Sequence, residues 1–543
     1  MAAVDAAVSA AVSRGLIKPA STMDEHSLGL FYDLDAFCDG LADLRAAFPE
    51  PQWLHACAIK TNPLSAMLRL ARDRGHGAEC ATSSEVVHAL ALGFAAEHVV
   101  FDSPCKTVPE IEHSLQHGVH LNVDNLQELS RVEAALNRMS AAAAAAAAAP
   151  SAAAAPGSGG GKADPPPPPP LPPPTAPSVI GLRINPLVGA GKVDSLSVST
   201  RKSKFGVVCP PAGGARTGGA AGAAGAAGAA GAAAAAAAAA AEREAVVEAL
   251  AGATFVTCVH VHTGSGGMAL GQMVEGCVTA VELAQQVNEL RSARARAAGA
   301  GGAPPRLIDV IDIGGGLPVA WRHAGGGGGV GPTFADYSAA LRARAPSLFE
   351  AGGPWRRVVT EFGAALHCAH GWVGSVVEVT KPAGEGGGVV AMIHAGSDLL
   401  ARQCYAPNMR PGGHPVRAYD AAGRLRGASD GGGAVLHDIA GPLCFAGDVV
   451  APAVSLPVAL QPGDIVVLEE AGGNTNSIFT SHCSRRRPPV WGYSTKGIVA
   501  GPPGASPRLA GSSQDDGFIF SGLAAGASFA DTLAVWCCGD FGC

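Results

Sequence analysis

Over the first two thirds of the chain, short β-type apolar runs alternate with stretches that are apolar on one helical face. Leu54-His55-Ala56-Cys57-Ala58-Ile59 reads as a strand and Leu64 to Arg74 as a helix; Glu79-Cys80-Ala81 and then Ser84 to Leu92 repeat the pair. Val99-Val100-Phe101, Leu121-Asn122-Val123 and Val179 to Ile184 continue the series. A repeated strand-helix unit predicts parallel strands covered by helices, and an eight-stranded barrel is its natural closure. Beyond about Ala364 the pattern changes to short strands between Gly and Pro turns, as in Val389 to His394 and Gly463 to Glu469. This predicts a second, all-β domain, joined by an N-terminal strand near Leu30-Phe31-Tyr32. The fold class expected is therefore α/β, a (β/α)8 TIM barrel with a second β-sandwich or barrel-like domain. The division expected is an N-terminal segment over 1–35, the barrel over 36–370, and the β domain with the tail over 371–543.

Two low-complexity tracts interrupt the barrel pattern. Residues 139–178 pass through polyalanine, Gly-Ser-Gly-Gly-Gly and polyproline, too poor in large apolar side chains to offset the ordering of the chain. Residues 210–241 repeat Gly-Ala-Ala and end in an alanine run with helical propensity into Glu242-Arg243-Glu244. Both read as expansions of barrel loops. Without them, 543 residues still leave room for two cores. The apolar content of 48% overstates the core-forming material, because much of it is alanine.

A net charge of -7 with no basic block argues against nucleic acid or an anionic membrane as partner. The alanine tracts lack the leucine, isoleucine and phenylalanine of a membrane span. Fourteen scattered cysteines without a Cys-x-x-Cys motif predict free thiols in a reducing compartment, and neither a zinc site nor a disulfide framework. The N-terminus has no secretory signal pattern, while its alanine, serine and arginine leave an organellar transit segment open. A cytoplasmic or organellar protein is expected, the plastid included, and not a secreted one.

The candidate chemistry starts at Lys60, in Cys57-Ala58-Ile59-Lys60-Thr61-Asn62-Pro63. An amine at the end of an apolar strand can sit in a dry pocket, where desolvation lowers its pKa and lets it form a Schiff base. In order after it come Gly181-Leu182-Arg183-Ile184-Asn185-Pro186, Ser203-Lys204-Phe205-Gly206, His260-Val261-His262-Thr263-Gly264-Ser265, Asp312-Ile313-Gly314-Gly315-Gly316-Leu317-Pro318, Thr360-Glu361-Phe362-Gly363 and Gly441-Pro442-Leu443-Cys444-Phe445-Ala446-Gly447-Asp448. This series resembles the fold-type III decarboxylases dependent on pyridoxal 5'-phosphate (PLP), the group that contains diaminopimelate, ornithine and arginine decarboxylases. The resemblance runs from about Leu30 to about Tyr493. In a barrel, the strand ends would gather Lys60, His262, Gly314 to Gly316 and Glu361 at one rim.

The resemblance implies a role for each residue. Lys60 would carry PLP, and Glu361 would keep the pyridine nitrogen protonated so that the ring withdraws electrons from the carbanion left by decarboxylation. His262 would stack on the ring, while Gly314, Gly315, Gly316 and Ser265 would face the phosphate, the glycines through exposed backbone N–H groups. Glu79, Glu85 and Arg183 match positions that support the lysine and the ring, with Glu79 standing where aspartate is usual. Cys444 matches a cysteine that reprotonates the carbanion in the neighbouring subunit's site, and Lys204 with Asp448 matches a pair that bridges subunits. Arg402 matches a substrate-carboxylate arginine, with Tyr405 one residue short of the usual spacing. The picture implied is a homodimer with shared sites acting on a small amino acid, with no metal.

Three departures stand out. Ala364 replaces a phosphate-binding arginine and Asn474 a phosphate-binding tyrosine; each lost charge-assisted hydrogen bond is worth about 1.5 to 3 kcal/mol. Phe445 replaces the acidic residue that pairs with a distal substrate amine. The Arg183-Ile184-Asn185-Pro186 run and the Gly447-Asp448 ending resemble the diaminopimelate branch, which implies a place in lysine biosynthesis. A same-fold racemase and a non-catalytic regulatory relative with weakened PLP binding are the alternatives. Glu361 counts against the first, and intact Lys60, Glu361 and Cys444 against the second.

Overall fold

The computed structural model describes residues 2–148, 177–213, 229–299, 304–319, 321, 331–383, 388–407, 410, 413–427, 433–500 and 517–535. Helix α1 (Ala2–Ser13), strand β1 (Leu28–Asp33) and helix α2 (Leu34–Ala47) precede the barrel. Its strands are β2 (Trp53–Ala58), β3 (Gly77–Cys80), β4 (Val99–Asp102), β5 (His120–Val123), β6 (Ile180–Asn185, with the two-residue β7, Val207–Val208, beside its end), β8 (Cys258–Val261), β9 (Val310–Asp312) and β10 (Arg357–Thr360). All pair in parallel in that order, and β10 returns to β2 through Val358↔Trp53, so eight strands close on themselves. Helices cover the outside and side chains fill the inside, which is why the strand sequences read as nearly unbroken apolar runs.

The covering helices are α3 (Ser65–Asp73), α4 (Ser83–Ala91), α5 (Val108–His117), α6 (Leu126–Ala148), α7 (Ala229–Gly252), α8 (Leu270–Ala297), α9 (Phe334–Arg344) and the single turn α10 (Ala364–His367). Local chemistry sets several ends. Thr107 and Glu110 form a reciprocal capping box on α5, and Gly118 ends that helix in the left-handed conformation at φ 75°. The low-complexity tracts are not loops throughout. The first alanines of one tract extend α6 to Ala148, and those at the end of the other form the early turns of α7, because alanine costs least in a helix. Buried Arg243 ties α7 down, donating to Pro210 O at 2.9 Å and to Gln286 Oε1 at 2.9 Å. Residues 149–176 and 214–228 of the tracts lie outside the described residues.

The second domain is a nine-stranded mixed sheet. It comprises β11 (Gly371–Ala383), β12 (Gly388–Ile393), β13 (Val416–Tyr419), β14 (Val435–Ala440), β15 (Val449–Leu456), β16 (Ile465–Leu468), β17 (Val490–Ser494) and β18 (Ile519–Ala524), with β1 between β11 and β17. The pairing register of β11 with β12 shifts between Val377 and Val379. The first half of β11 pairs with β1 and β16 and the second with β12, so one strand serves two parts of the sheet. Helix α1 lays Ala7, Val8 and Ala11 against Phe31, Trp372 and Phe520 in a shared cluster. Asp5 fixes that helix by accepting from Arg417 Nη1 at 2.7 Å and Tyr419 Oη at 2.8 Å. Two pieces of this domain reach the barrel mouth: helix α11 (Ala401–Tyr405) and the segment after β16.

Candidate active site

Strand β2 stops at Ala58, and the tight turn Ile59–Thr61 carries Lys60 to the barrel mouth. Pairing of Ala58 with Glu79 on β3 sets the lysine beside a fully buried carboxylate, to which its Nζ donates. About half of the lysine side chain stays open to the cavity, at 51% exposure. Burial works to lower the Lys60 pKa, but Glu79, Glu361 and Asp102 outweigh it, and the amine is raised. The expectation of a lysine depressed by desolvation is thus corrected: the carboxylates around its amine outweigh its burial. Burial, reinforced by Glu361 and Asp102, pushes the Glu79 carboxyl upward against the pull of Lys60. A carboxylate so raised can take the lysine's proton when the free amine is required.

Deeper in the barrel, polar ends of successive strands meet. Asp102 at the end of β4 accepts from Arg183 Nη1 on β6 at 3.1 Å, and the guanidinium lies over the Phe205 ring at 4.5 Å. His260 on β8 sits between Asp102 and Glu361, 3.6 Å from each. Glu361 follows β10; its N–H donates to Gly314 O at 2.8 Å, and its buried side chain leaves Oε1 without a partner. Asp312, at the end of β9, accepts from Asn122 Nδ2 at 2.9 Å. None of Asp102, His260 as a ligand, or Asp312 was singled out from sequence. The signal available was a polar residue closing each apolar run, which a barrel places at the active rim.

Gly314 and Gly316 take φ of 66° and 94°, and a Cβ at Gly316 would lie 1.9 Å from Gly264 O. Only glycine permits that approach between the β8 and β9 loops. Two of the three N–H groups expected to face a phosphate are otherwise engaged: Gly314 N–H donates to Asp312 Oδ1 at 3.0 Å and Gly315 N–H to His262 Nδ1 at 3.1 Å. The glycine turn therefore orients His262 and brings its backbone close, and leaves Gly316 for an anion. With Nδ1 accepting, Nε2–H of His262 donates to Ser265 Oγ at 3.3 Å. Burial and the neighbouring cations hold that imidazole well below its ordinary pKa, so the ring is neutral. Glu85 accepts from Ala81 N–H at 2.7 Å and shapes the turn after β3.

A cavity of about 210 Å³ opens here, walled by Lys60, His262, Ser265, Gly316 and Glu361 from the barrel and by Arg402 and Asn474 from the second domain. Ala364 lines the same space. Asn474 is held by its N–H on Thr61 O at 2.9 Å and at φ 54°. Of the two arginines at the wall, Arg410 is occupied: it donates to Gly413 O at 2.7 Å and to Glu470 and stacks on Trp321 at 3.9 Å. Arg402 makes no ion pair among the described residues, and burial lowers its pKa.

Four of the expected residues are not brought to Lys60 within one chain. Cys444 is exposed on its turn, and beside it Tyr405, 55% exposed, stacks on Phe445 with ring centroids 5.2 Å apart. Lys204 is exposed over the Phe205 ring at 5.0 Å. Asp448 is buried and spends its carboxylate on its own chain, accepting from Ser397 N–H at 2.5 Å and Leu443 N–H at 2.7 Å. It thus braces the turn that displays Cys444.

Two family descriptions match the sequence: "Pyridoxal-dependent decarboxylase, pyridoxal binding domain" over residues 36–162 and "Pyridoxal-dependent decarboxylase, C-terminal sheet domain" over residues 375–472. Both matched stretches are thus domains of pyridoxal-dependent decarboxylases. Diaminopimelate decarboxylase of Bacteroides thetaiotaomicron is 22% identical over 479 residues, covering 86% of this chain and 95% of that protein. Ornithine decarboxylase of Schizosaccharomyces pombe is 31% identical over 110 residues, 19% of this chain and 25% of that one. Among solved structures, diaminopimelate decarboxylase of Helicobacter pylori complexed with L-lysine superposes with a TM-score of 0.63 at 17% identity, over 94% of this chain and 97% of the other. The enzyme is a PLP-dependent amino-acid decarboxylase of the fold-type III group, and its site fits the cofactor. The half-open amine of Lys60, the orphaned Oε1 of Glu361 and the neutral face of His262 lie around one space. The phosphate end is the thinner part, with Ala364 and Asn474 lining the cavity where the resemblance leads one to expect an arginine and a tyrosine.

Proposed function

We propose that the enzyme removes the α-carboxylate of a diaminopimelate-like amino acid at Lys60, in a homodimer in which Cys444 of the partner subunit returns the proton. The observation that carries this reading is the sharing of one cavity by the Lys60 amine and the unpartnered Oε1 of Glu361. PLP supplies an aldehyde for the lysine amine and, when its ring nitrogen is protonated, a sink for the electrons that carbon dioxide leaves behind. Glu79 receives the lysine's proton, Glu361 holds a proton at the ring nitrogen, and His262 presents a neutral face. Arg402, without an ion-pair partner among the described residues and at the cavity wall, receives a substrate carboxylate. The exposed turn of Cys444, with Tyr405 and Phe445 stacked beside it, is the surface offered to the second subunit.

Arg402 and the long matches to diaminopimelate decarboxylases support a substrate whose far end carries a carboxylate, hence a place in lysine biosynthesis. Phe445 in place of an acid disfavours substrates held only by a distal amine. Carbon dioxide release measured over diaminopimelate, lysine, ornithine, arginine and carboxylated polyamines is expected to give kcat/KM at least about tenfold higher for diaminopimelate than for the monocarboxylates. Equal or faster turnover of ornithine would overturn the substrate assignment. Among the described residues no helix is long and apolar enough to cross a membrane. Eleven free cysteines there agree with a reducing cytoplasm or organelle.

The shared site has its own test. Lys60→Ala and Cys444→Ala homodimers are each expected to be nearly inactive. Mixed under conditions of proven subunit exchange, they should regain up to about a quarter of wild-type activity, through heterodimers with one intact composite site. No rescue after verified exchange would confine Cys444 to its own chain.

A further inference from the structure

His260 has no part in the reading above, yet it is wholly buried at the centre of the barrel. Its Nδ1 lies 3.6 Å from Asp102 Oδ1 and its Nε2 3.6 Å from Glu361 Oε2. A neutral imidazole has one N–H and one lone pair, and would turn the lone pair toward a carboxylate at one end. A ring flanked by carboxylates on both nitrogens is satisfied only when both carry protons. We propose that His260 is a permanent imidazolium that positions Glu361, holding its Oε2 so that Oε1 is aimed at the cofactor's ring nitrogen.

The surrounding charges require a cation at this place. Facing the ring are Asp102 from β4, Asp312 from β9 and Glu361 after β10, with His120 on β5 and His262 on its own element. Lys60, Glu79 and Arg183 act on Asp102, on His262 or on each other, and buried Asp124, whose carboxyl burial raises, lies further out beside Arg183. Burial drives both His120 and His262 to the neutral form, to about 3 for His120. Lys106 is matched separately by Glu128 at 2.9 Å. Burial and Glu361 push the Asp312 carboxyl well up, so it is held neutral. Nearest the ring, three carboxylates, Glu79, Asp102 and Glu361, then face two fixed cations, Lys60 and Arg183. A third cation brings the buried set to balance, and uncompensated buried charge is strongly disfavoured. In agreement, burial works against the His260 charge, but the negative charge around it, that of Asp102 foremost, outweighs the burial and raises the ring to about 9.

The arrangement gives Glu361 two tasks at once. One oxygen lies 3.6 Å from His260 Nε2, within ion-pair reach though beyond hydrogen-bond length, and the other is unpartnered, so the imidazolium's charge draws Oε2 and leaves the Oε1 lone pair for the cavity. Arg183 completes the chain by fixing Asp102, which fixes His260 in turn. This inference rests on the reading of Glu361 as partner of the ring nitrogen, whereas the protonation of His260 can be measured without the cofactor.

The experiment is an NMR titration of the full-length enzyme with histidine labelled at the ring, in the apo and PLP-loaded forms. Asp102→Asn identifies the His260 signal by moving its titration to lower pH. The result expected is both ring nitrogens protonated from about pH 6 to about pH 8, where an ordinary histidine titrates. A His260 signal that titrates near its ordinary value, or is neutral at pH 7, overturns the proposal, and where Asp102→Asn folds poorly the signal is assigned in the wild type by through-bond correlation of the ring with its backbone. Kinetics then separate positioning from support of the fold. His260→Gln is expected to lower kcat about tenfold with KM little changed, and to cost nothing further in a Glu361→Gln background. Losses that multiply in the double variant would show that His260 does not act through Glu361. If His260 is cationic but Glu361→Gln leaves turnover intact, the reading of Glu361 fails and the charge state of His260 stands.

Discussion

Lys60→Ala is expected to abolish turnover and the near-visible absorbance of bound cofactor while the fold survives. Among the described residues no other lysine lines the cavity, so Lys60 is the amine placed to hold the cofactor's aldehyde there. Loss of the lysine leaves Glu79 buried without its cation, which for an obligate charge would cost about 3 to 5 kcal/mol. Glu79 has an escape, because its carboxyl is already raised by burial and, with the pull of the Lys60 amine gone, rises further and takes a proton. The sign of the pH dependence follows. A carboxyl whose folded pKa lies above its unfolded value keeps its full contribution below the unfolded pKa, and loses it as pH rises through the folded one. The variant should therefore be most resistant to heat in mild acid, and its melting temperature should fall relative to wild type as pH climbs from the ordinary glutamate value past about 7. Borohydride reduction followed by peptide mapping checks the attachment site. Cofactor still trapped covalently in the variant would assign it to another lysine, and a pH-independent difference in melting temperature would mean that Glu79 does not titrate as stated.

What the sequence made legible was local. The barrel strands announce themselves because both of their faces are buried, and Lys60, Glu361 and the three glycines stand in contiguous motifs at strand ends. Lys60's protonation was not legible, since its sign depends on the register that sets Ala58 beside Glu79 and on carboxylates 42 and 301 residues further along. The Asp102, Arg183 and His260 cluster escaped for the same reason: its members lie on three different strands, and nothing in any one motif records the other two. The glycine turn was recognised for its conformation but misread for its donors, because the side chains that take the Gly314 and Gly315 N–H groups are fixed only by folding. At the tracts, the alanine run before Glu242 is helical in α7 as its propensity suggests, whereas the alanines after Met139, which composition assigns to a loop, extend α6 for the same reason.

Glu361→Gln is expected to retain the cofactor but slow decarboxylation in single turnovers about 100- to 1000-fold, the scale on which one aimed electrostatic group acts in a closed site. The amide keeps the size and the contact of the backbone N–H with Gly314, so the β10 loop and the glycine turn should hold. What it loses is the negative charge in a region from which water is excluded, and with it the means to keep a proton on the ring nitrogen. The effect should fall on the chemical step rather than on loading, since Lys60, Gly316 and Ser265 are untouched, so rates are compared at saturating PLP. A second consequence is readable at His260, which loses one of its flanking carboxylates and should titrate at lower pH than the wild-type value of about 9. Glu361→Asp preserves the charge but withdraws it by one methylene, and should recover part of the rate. That recovery separates charge from shape: a single-turnover rate unchanged in the glutamine variant, or equally low in both variants, would mean that Glu361 serves the barrel's packing and that the ring nitrogen finds its partner elsewhere.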